Sequence, residues 1–180
     1  MTSTTEEKTG FQTKRLFFAL LPDYQTTTAL LKWQTVIPGR KTPVQNLHLT
    51  LFFLGNQLEN KVSELARFMD QSDFSPFELV IDRIGYFPKI RLLWAGPSRT
   101  PLPLASLYDT AHRFLTPAYR NEKKDIFRPH VTLARNAPLF QAEIEPPVHW
   151  RVTRFALMES VLCNEPGKPA VYRILHEISR

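Results

Sequence analysis

Asn46-Leu47-His48-Leu49-Thr50-Leu51-Phe52-Phe53-Leu54-Gly55 is the stretch from which the fold is read. Its apolar run suits a strand with a buried face, and in an extended chain residues two apart share a face. His48 and Thr50 then project together, while Leu47, Leu49 and Leu51 face a core. The pattern returns 82 positions later as His130-Val131-Thr132-Leu133, again H-x-T-L in an apolar run. Two imidazoles, each beside a hydroxyl, suggest a two-histidine acid–base site.

Outward from these strings, short strands mix with helices. Arg15 to Leu21 (RLFFALL) reads as a buried strand. Pro22-Asp23 starts a helix that carries Ala29, Leu30, Trp33 and Val36 and ends at Pro38-Gly39. The first H-x-T strand runs from Asn46 to Leu54, closed by Gly55-Asn56. Val62, Leu65, Ala66 and Met69 mark a second helix by their i, i+3, i+4, i+7 spacing. Phe77 to Phe87 and Arg91 to Ala95 read as strands joined across Pro88-Lys89. A third helix spans about Pro103 to Leu115, stopped by Pro117, and the basic stretch Arg120 to Arg128 leads into the second H-x-T strand. Trp150 to Leu162 and Ala170 to Ile178 form a closing hairpin around Glu165-Pro166-Gly167-Lys168. Frequent hairpins without β-α-β alternation favour α+β with antiparallel sheet over a doubly wound parallel fold. Residues 1–12 read as a flexible tail and 13–180 as a single domain.

Composition narrows the class. The chain has 180 residues, 43% hydrophobic and 22% charged, enough for one domain with a sizeable core. No apolar run approaches the roughly 20 residues that span a bilayer. Met1 to Gly10 is polar and lacks the apolar centre of a signal peptide. A cytoplasmic protein without membrane contact is expected. The net charge of +6 favours an anionic partner. The lone Cys163 excludes an internal disulfide and reads as a half-buried strand residue.

Histidine's ordinary pKa of about 6.5 lets one ring be neutral while its partner is protonated. A neutral ring takes a proton from a nucleophile, and a protonated ring gives one to a leaving oxygen. Each role typically contributes about 10²–10⁴ in rate. Threonine hydroxyls beside the rings can donate to non-bridging phosphate oxygens. Without a base on its own oxygen, neither threonine is a good nucleophile. Acid–base phosphoester cleavage therefore fits better than covalent catalysis. His48 and His130 can also ligate metal, but no third Cys, His or acidic ligand has suggestive spacing; no metal and no cofactor is expected.

The chain resembles the two-histidine (2H) phosphoesterase superfamily and, within it, the bacterial RNA 2′,3′-cyclic phosphodiesterases, also called 2′-5′ RNA ligases. RLFFAL at 15–20 running into Leu21-Pro22 is similar to the family's opening strand and turn. NLHLTLFFLG at 46–55 is similar to its first motif region, and Pro129-His130-Val131-Thr132-Leu133 with Arg135 to its second. The resemblance implies a bilobal α+β fold of two pseudo-symmetric halves, with antiparallel sheets around a central cleft and helices packed outside. It implies hydrolysis of RNA or nucleoside 2′,3′-cyclic phosphate ends to 2′-phosphomonoesters, without metal or ATP. Carried onto this sequence, His48 is the proton donor, His130 the proton acceptor, and Thr50 and Thr132 bind the phosphate. Ligation of a cyclic phosphate end to a 5′-hydroxyl as the main activity is the second enzyme reading. A non-catalytic RNA-end binder is the third, disfavoured because binding alone needs no titrating pair. The protein is expected to be a monomer.

Other candidates weigh less. Strict alternation puts Arg135 on the face opposite His130, so its use on phosphate needs a bulge or a strand end. Arg120, Lys123, Lys124 and Arg128 can track an RNA backbone or form a solvated loop. Phe52, Phe53 or Trp94 can stack a base, though most phenylalanines must be core. His112, His149 and His176 read as structural or solvent-facing.

Overall fold

The computed structural model describes residues 12–119, 127–141, 146–163, 165 and 168–180, with 116–119 by backbone alone. Eleven residues of the expected tail, together with Arg120, Lys123, Lys124, Pro166 and Gly167, lie outside the described residues.

The strands are β1 (Thr13–Leu20), β2 (Arg40–Lys41), β3 (Leu49–Leu58), β4 (Phe77–Ile81), β5 (Arg83–Phe87), β6 (Leu92–Gly96), β7 (Val131–Arg135), β8 (Val148–Val152), β9 (Arg154–Val161) and β10 (Val171–Ser179). The helices are α1 (Tyr24–Val36), α2 (Lys61–Asp70) and α3 (Leu102–Tyr119), with 3₁₀ turns at Val44–Asn46 and Pro88–Ile90. One sheet runs β10-β9-β1-β3-β7-β6-β5, with β2 also on β7, and β4 pairs with β8 separately. The pairings are antiparallel. The fold is α+β, as the hairpin-rich pattern requires.

Residues of β1 alternate between two cores, which explains why Leu16 to Leu20 are all buried. Leu16, Phe18 and Leu20 join the main core with Leu30, Trp33, Leu65, Met69, Leu104 and Leu115 from the three helices. Phe17, Ala19 and Leu21 face the other way, packing with Ala156, Met158 and Tyr172. The helices therefore cover one face of the large sheet and leave a groove on the other. Asp23 caps α1 as expected, its carboxylate accepting from the Thr26 N–H at 2.7 Å.

Several boundaries differ from the sequence reading. Phe77 to Phe87 is two strands, because Asp82 breaks the run: its carboxylate accepts from the Ser98 N–H at 2.6 Å, sending β4 to β8 and β5 to β6. Trp150 to Leu162 likewise divides at Thr153; its first part lies in β8, and only β9 forms the closing hairpin with β10. Gly55-Asn56 does not end β3, which bulges there with Gly55 at φ 71° and continues to Leu58. α3 runs past Pro117 to Tyr119. On α1, Val36 is 64% exposed and the buried position belongs to Gln34.

Candidate active site

His48 and His130 each stand one residue before a strand, β3 and β7. Those strands meet at Leu49 opposite Val131, both fully buried. Continuing that antiparallel register by one residue sets His48 across from Thr132 and Thr50 across from His130. Since Leu49 and Val131 fill the core, these four side chains share the opposite face. There they line a cleft of about 550 Å³.

Backbone carbonyls fix both rings. Nδ1–H of His48 donates to the Asn46 carbonyl at 2.7 Å, and Nδ1–H of His130 donates to the Arg128 carbonyl at 2.7 Å. In each case the acceptor lies two residues upstream, which leaves Nε2 as the working nitrogen. In the neutral ring, His48 Nε2 accepts from the Thr50 hydroxyl at 2.9 Å. Asn46 is itself buried, and its amide donates to the Ala170 carbonyl at 2.8 Å, tying the chain before β10 to the carbonyl that orients His48.

Aromatic rings wall both imidazoles. Phe17 and Tyr172 each lie 5.1 Å from His48, centre to centre. Phe87 and Trp94 lie 5.2 and 6.0 Å from His130. Trp94 fits only because its neighbours are glycines: a Cβ on Gly85 would stand 2.0 Å from its ring. Burial pushes the His48 pKa down to about 4, with His130 and Arg135 adding to the effect and the Asn46 carbonyl opposing it. Burial first, then Arg135, also lowers His130, against the pull of the Arg128 carbonyl. Both rings are therefore poised to be neutral in the empty cleft.

Two bulges decide what else enters the cleft. Against β1, β3 slips by one residue at Leu51, so Leu51 and Phe52 both enter the main core. Against β6, β7 slips at Leu133, so Leu133 and Ala134 do the same. Each slip reverses the alternation beyond it. Phe53 and Arg135, each five residues after its histidine, thus return to the cleft face and line it. Arg135 reaches the site by the bulge that strict alternation lacked. Gln34 holds this second bulge from α1, its amide donating to the Leu133 carbonyl at 2.8 Å and the Thr42 carbonyl at 3.0 Å.

Of the candidate stacking residues, Phe52 is core and Trp94 is buried behind His130; Phe53 is 68% exposed in the cleft. Arg128 contributes its carbonyl, and its exposed side chain does not line the cleft. Cys163 is half-buried. His176 pairs with Asp70 at 2.8 Å, away from the cleft. The sequence reading gave no role to Gln34 and Tyr172, which carry no motif, nor to Asn46, which opens the first motif stretch. It also passed over Arg15, Arg40, Lys41 and Lys168, which line the cleft where no carboxylate does among the described residues.

A family model described as the 2'-5' RNA ligase superfamily matches residues 32–161. The RNA 2',3'-cyclic phosphodiesterase of Escherichia coli is 31% identical over 156 residues, covering 82% of this chain and 87% of that protein. The RNA 2',3'-cyclic phosphodiesterase of Thermotoga maritima is 33% identical over 146 residues, covering 74% and 75%. Among solved structures, E. coli LigT in apo form superposes with a TM-score of 0.78 at 27% identity, covering 93% of this chain and 98% of that one. LigT complexed with 3'-AMP gives 0.79 at 26% identity, with the same coverage.

Proposed function

This chain belongs to the 2'-5' RNA ligase superfamily, and from that premise we infer that it is an RNA 2′,3′-cyclic phosphodiesterase working by two-histidine acid–base catalysis. The relatives named for that activity align over most of the chain. The observation that carries the reading is the cross-strand set His48, Thr50, His130 and Thr132 facing one cleft, with both rings oriented through Nδ1.

Hydrolysis follows from that arrangement. The hydroxyls of Thr50 and Thr132 donate to the non-bridging phosphate oxygens, and Arg135 offsets their charge. Neutral His130 takes a proton from water through Nε2 as the water oxygen attacks phosphorus. The P–O3′ bond breaks, and protonated His48 passes its Nε2 proton to the departing O3′. The products are a 2′-phosphomonoester and a free 3′-hydroxyl. The phosphate anion itself favours the protonated ring that this step needs. The exposed face of Phe53 offers a surface for the terminal base.

The test is incubation with the four nucleoside 2′,3′-cyclic phosphates and identification of the product. A 2′-phosphate is expected. His48→Ala and His130→Ala should each lower turnover by about 10²–10⁴ with the circular dichroism spectrum kept. A 3′-phosphate product, or near-native turnover in either variant, would sink the reading.

A further inference from the structure

Outward from the histidines, the cleft face of the sheet runs on to Phe53 and then Arg15. The pairing of β1 with β3 sets Ala19 opposite Thr50, Phe17 opposite Phe53 and Arg15 opposite Asn56. Arg15 stands two residues before Phe17, so both side chains share the cleft face, about 7 Å apart along the strand. On its other side β1 sets Leu16 opposite Glu159 of β9, and one more step of that register brings Ser160 beside Arg15. Arg15, Phe53 and Ser160 all line the cleft. The Phe17 ring lies 5.1 Å from His48 and 6.1 Å from Phe53, between the catalytic ring and the open one. The order outward is therefore His48, Thr50, Phe53, Arg15.

Lys14, on the opposite face of β1, takes the adjacent carboxylates, Glu59 at 3.4 Å and Glu159 at 3.5 Å. Arg15 is exposed and has no ion pair among the described residues. A guanidinium donates hydrogen bonds and accepts none, so it selects for acceptors. With the cyclic phosphate at the histidines and the base on Phe53, Arg15 meets the base edge furthest from the sugar. Guanine and uracil present a keto oxygen there, O6 or O4, whereas adenine and cytosine present an amino group, N6 or N4. The keto oxygen accepts from the guanidinium; the amino group sets donor against donor. Guanine adds N7 beside O6, the pair of acceptors that the arginine fork matches.

We propose that Arg15 is a specificity-determining residue that selects a keto base, guanine first, on the nucleotide bearing the cyclic phosphate. The proposal rests on the phosphodiesterase reading and adds a base preference to it.

Substrates matched in ring size test it: the 2′,3′-cyclic phosphates of guanosine, inosine and adenosine, and of uridine and cytidine. Inosine keeps O6 and N7 but lacks the guanine amino group. The unaltered protein should favour guanosine and inosine over adenosine by about tenfold in kcat/KM, the worth of one arginine–base contact. Uridine should exceed cytidine in the same direction. Arg15→Met should bring both ratios close to one. Arg15→Lys, with a point charge in place of the fork, should keep the direction at a smaller ratio. Equal kcat/KM for inosine and adenosine in the unaltered protein would overturn the proposal. So would an Arg15→Met variant that keeps the keto preference or loses all five substrates in proportion. Failure of the phosphodiesterase reading looks different: none of the five then yields a 2′-phosphate.

Discussion

Raising the pH should silence the empty cleft before it silences the occupied one. With its pKa near 4, His48 is protonated at pH 7 in roughly one molecule in a thousand. Charging it there costs about 4 kcal/mol. A phosphate monoanion about 4 Å from the ring returns about 4 kcal/mol at an effective dielectric constant near 20. The two magnitudes match, so the substrate's own charge can supply the acid. The same anion pairs with Arg135 and removes part of what depressed both rings.

Steady-state rates separate the two states, since kcat/KM reports groups in the free protein and kcat those in the complex. Both free histidines lie below the ordinary value of 6.5. The alkaline fall of kcat/KM should therefore begin below about pH 6.5 and steepen to tenfold per unit. The corresponding fall of kcat should lie at higher pH. A proton NMR titration of the His48 ring checks the cause directly. Its midpoint should sit well below the ordinary value alone and rise when a nucleoside 2′-phosphate saturates the cleft. A level kcat/KM well above pH 6.5, or a free His48 titrating at its ordinary value, would refute this account.

Four further variants probe the scaffold. Because His48 is held neutral in the fold but takes up a proton near 6.5 when unfolded, its contribution to stability is complete above that pH. It is lost as pH falls toward about 4, to a total of about 3 kcal/mol; urea denaturation of His48→Gln should lack that acid slope. Gln34→Leu removes the donor to the half-buried Thr42 carbonyl and one of two donors to the buried Leu133 carbonyl, which the Thr42 N–H still holds; this should cost about 1–3 kcal/mol and lower kcat by loosening Arg135, read from chemical denaturation and initial rates. Gly85→Ala sets a methyl where the Trp94 ring lies, so the near-ultraviolet dichroism of tryptophan should change and kcat fall. Gly55→Ala, with no neighbour within 4 Å of its added carbon, should cost only about 1–2 kcal/mol of left-handed backbone strain and keep both signals.

Much of this site was legible because period-two alternation holds across each H-x-T: Leu49 and Val131 enter the core, so the flanking His and Thr cannot. Where the reading failed, the cause was a competing pairing that no local pattern announces. Phe77 to Phe87 is apolar enough for one strand, yet Asp82 bonds to Ser98 and splits it between two sheets. Gln34 has an ordinary polar side chain in the sequence; only the fold reveals that its partners are carbonyls of β7 and the chain after β2. Such long-range hydrogen bonds are invisible to spacing.

The two bulges show the same limit at the centre of the chemistry. In Leu51-Phe52 and Leu133-Ala134 two consecutive residues enter the core, and a continuous apolar run reads identically with or without that slip. Yet the slip decides function, because it turns the residue five beyond each histidine back to the cleft. In the β3 strand that residue is Phe53 and in β7 it is Arg135. Equivalent backbone turns thus give the two histidines unlike neighbours, an open ring on one side and a cation on the other. A nucleotide has the matching polarity, with a stacking base at one end and phosphate at the other. The repeated H-x-T supplies the paired acid and base, and the unlike fifth residues give the cleft its direction.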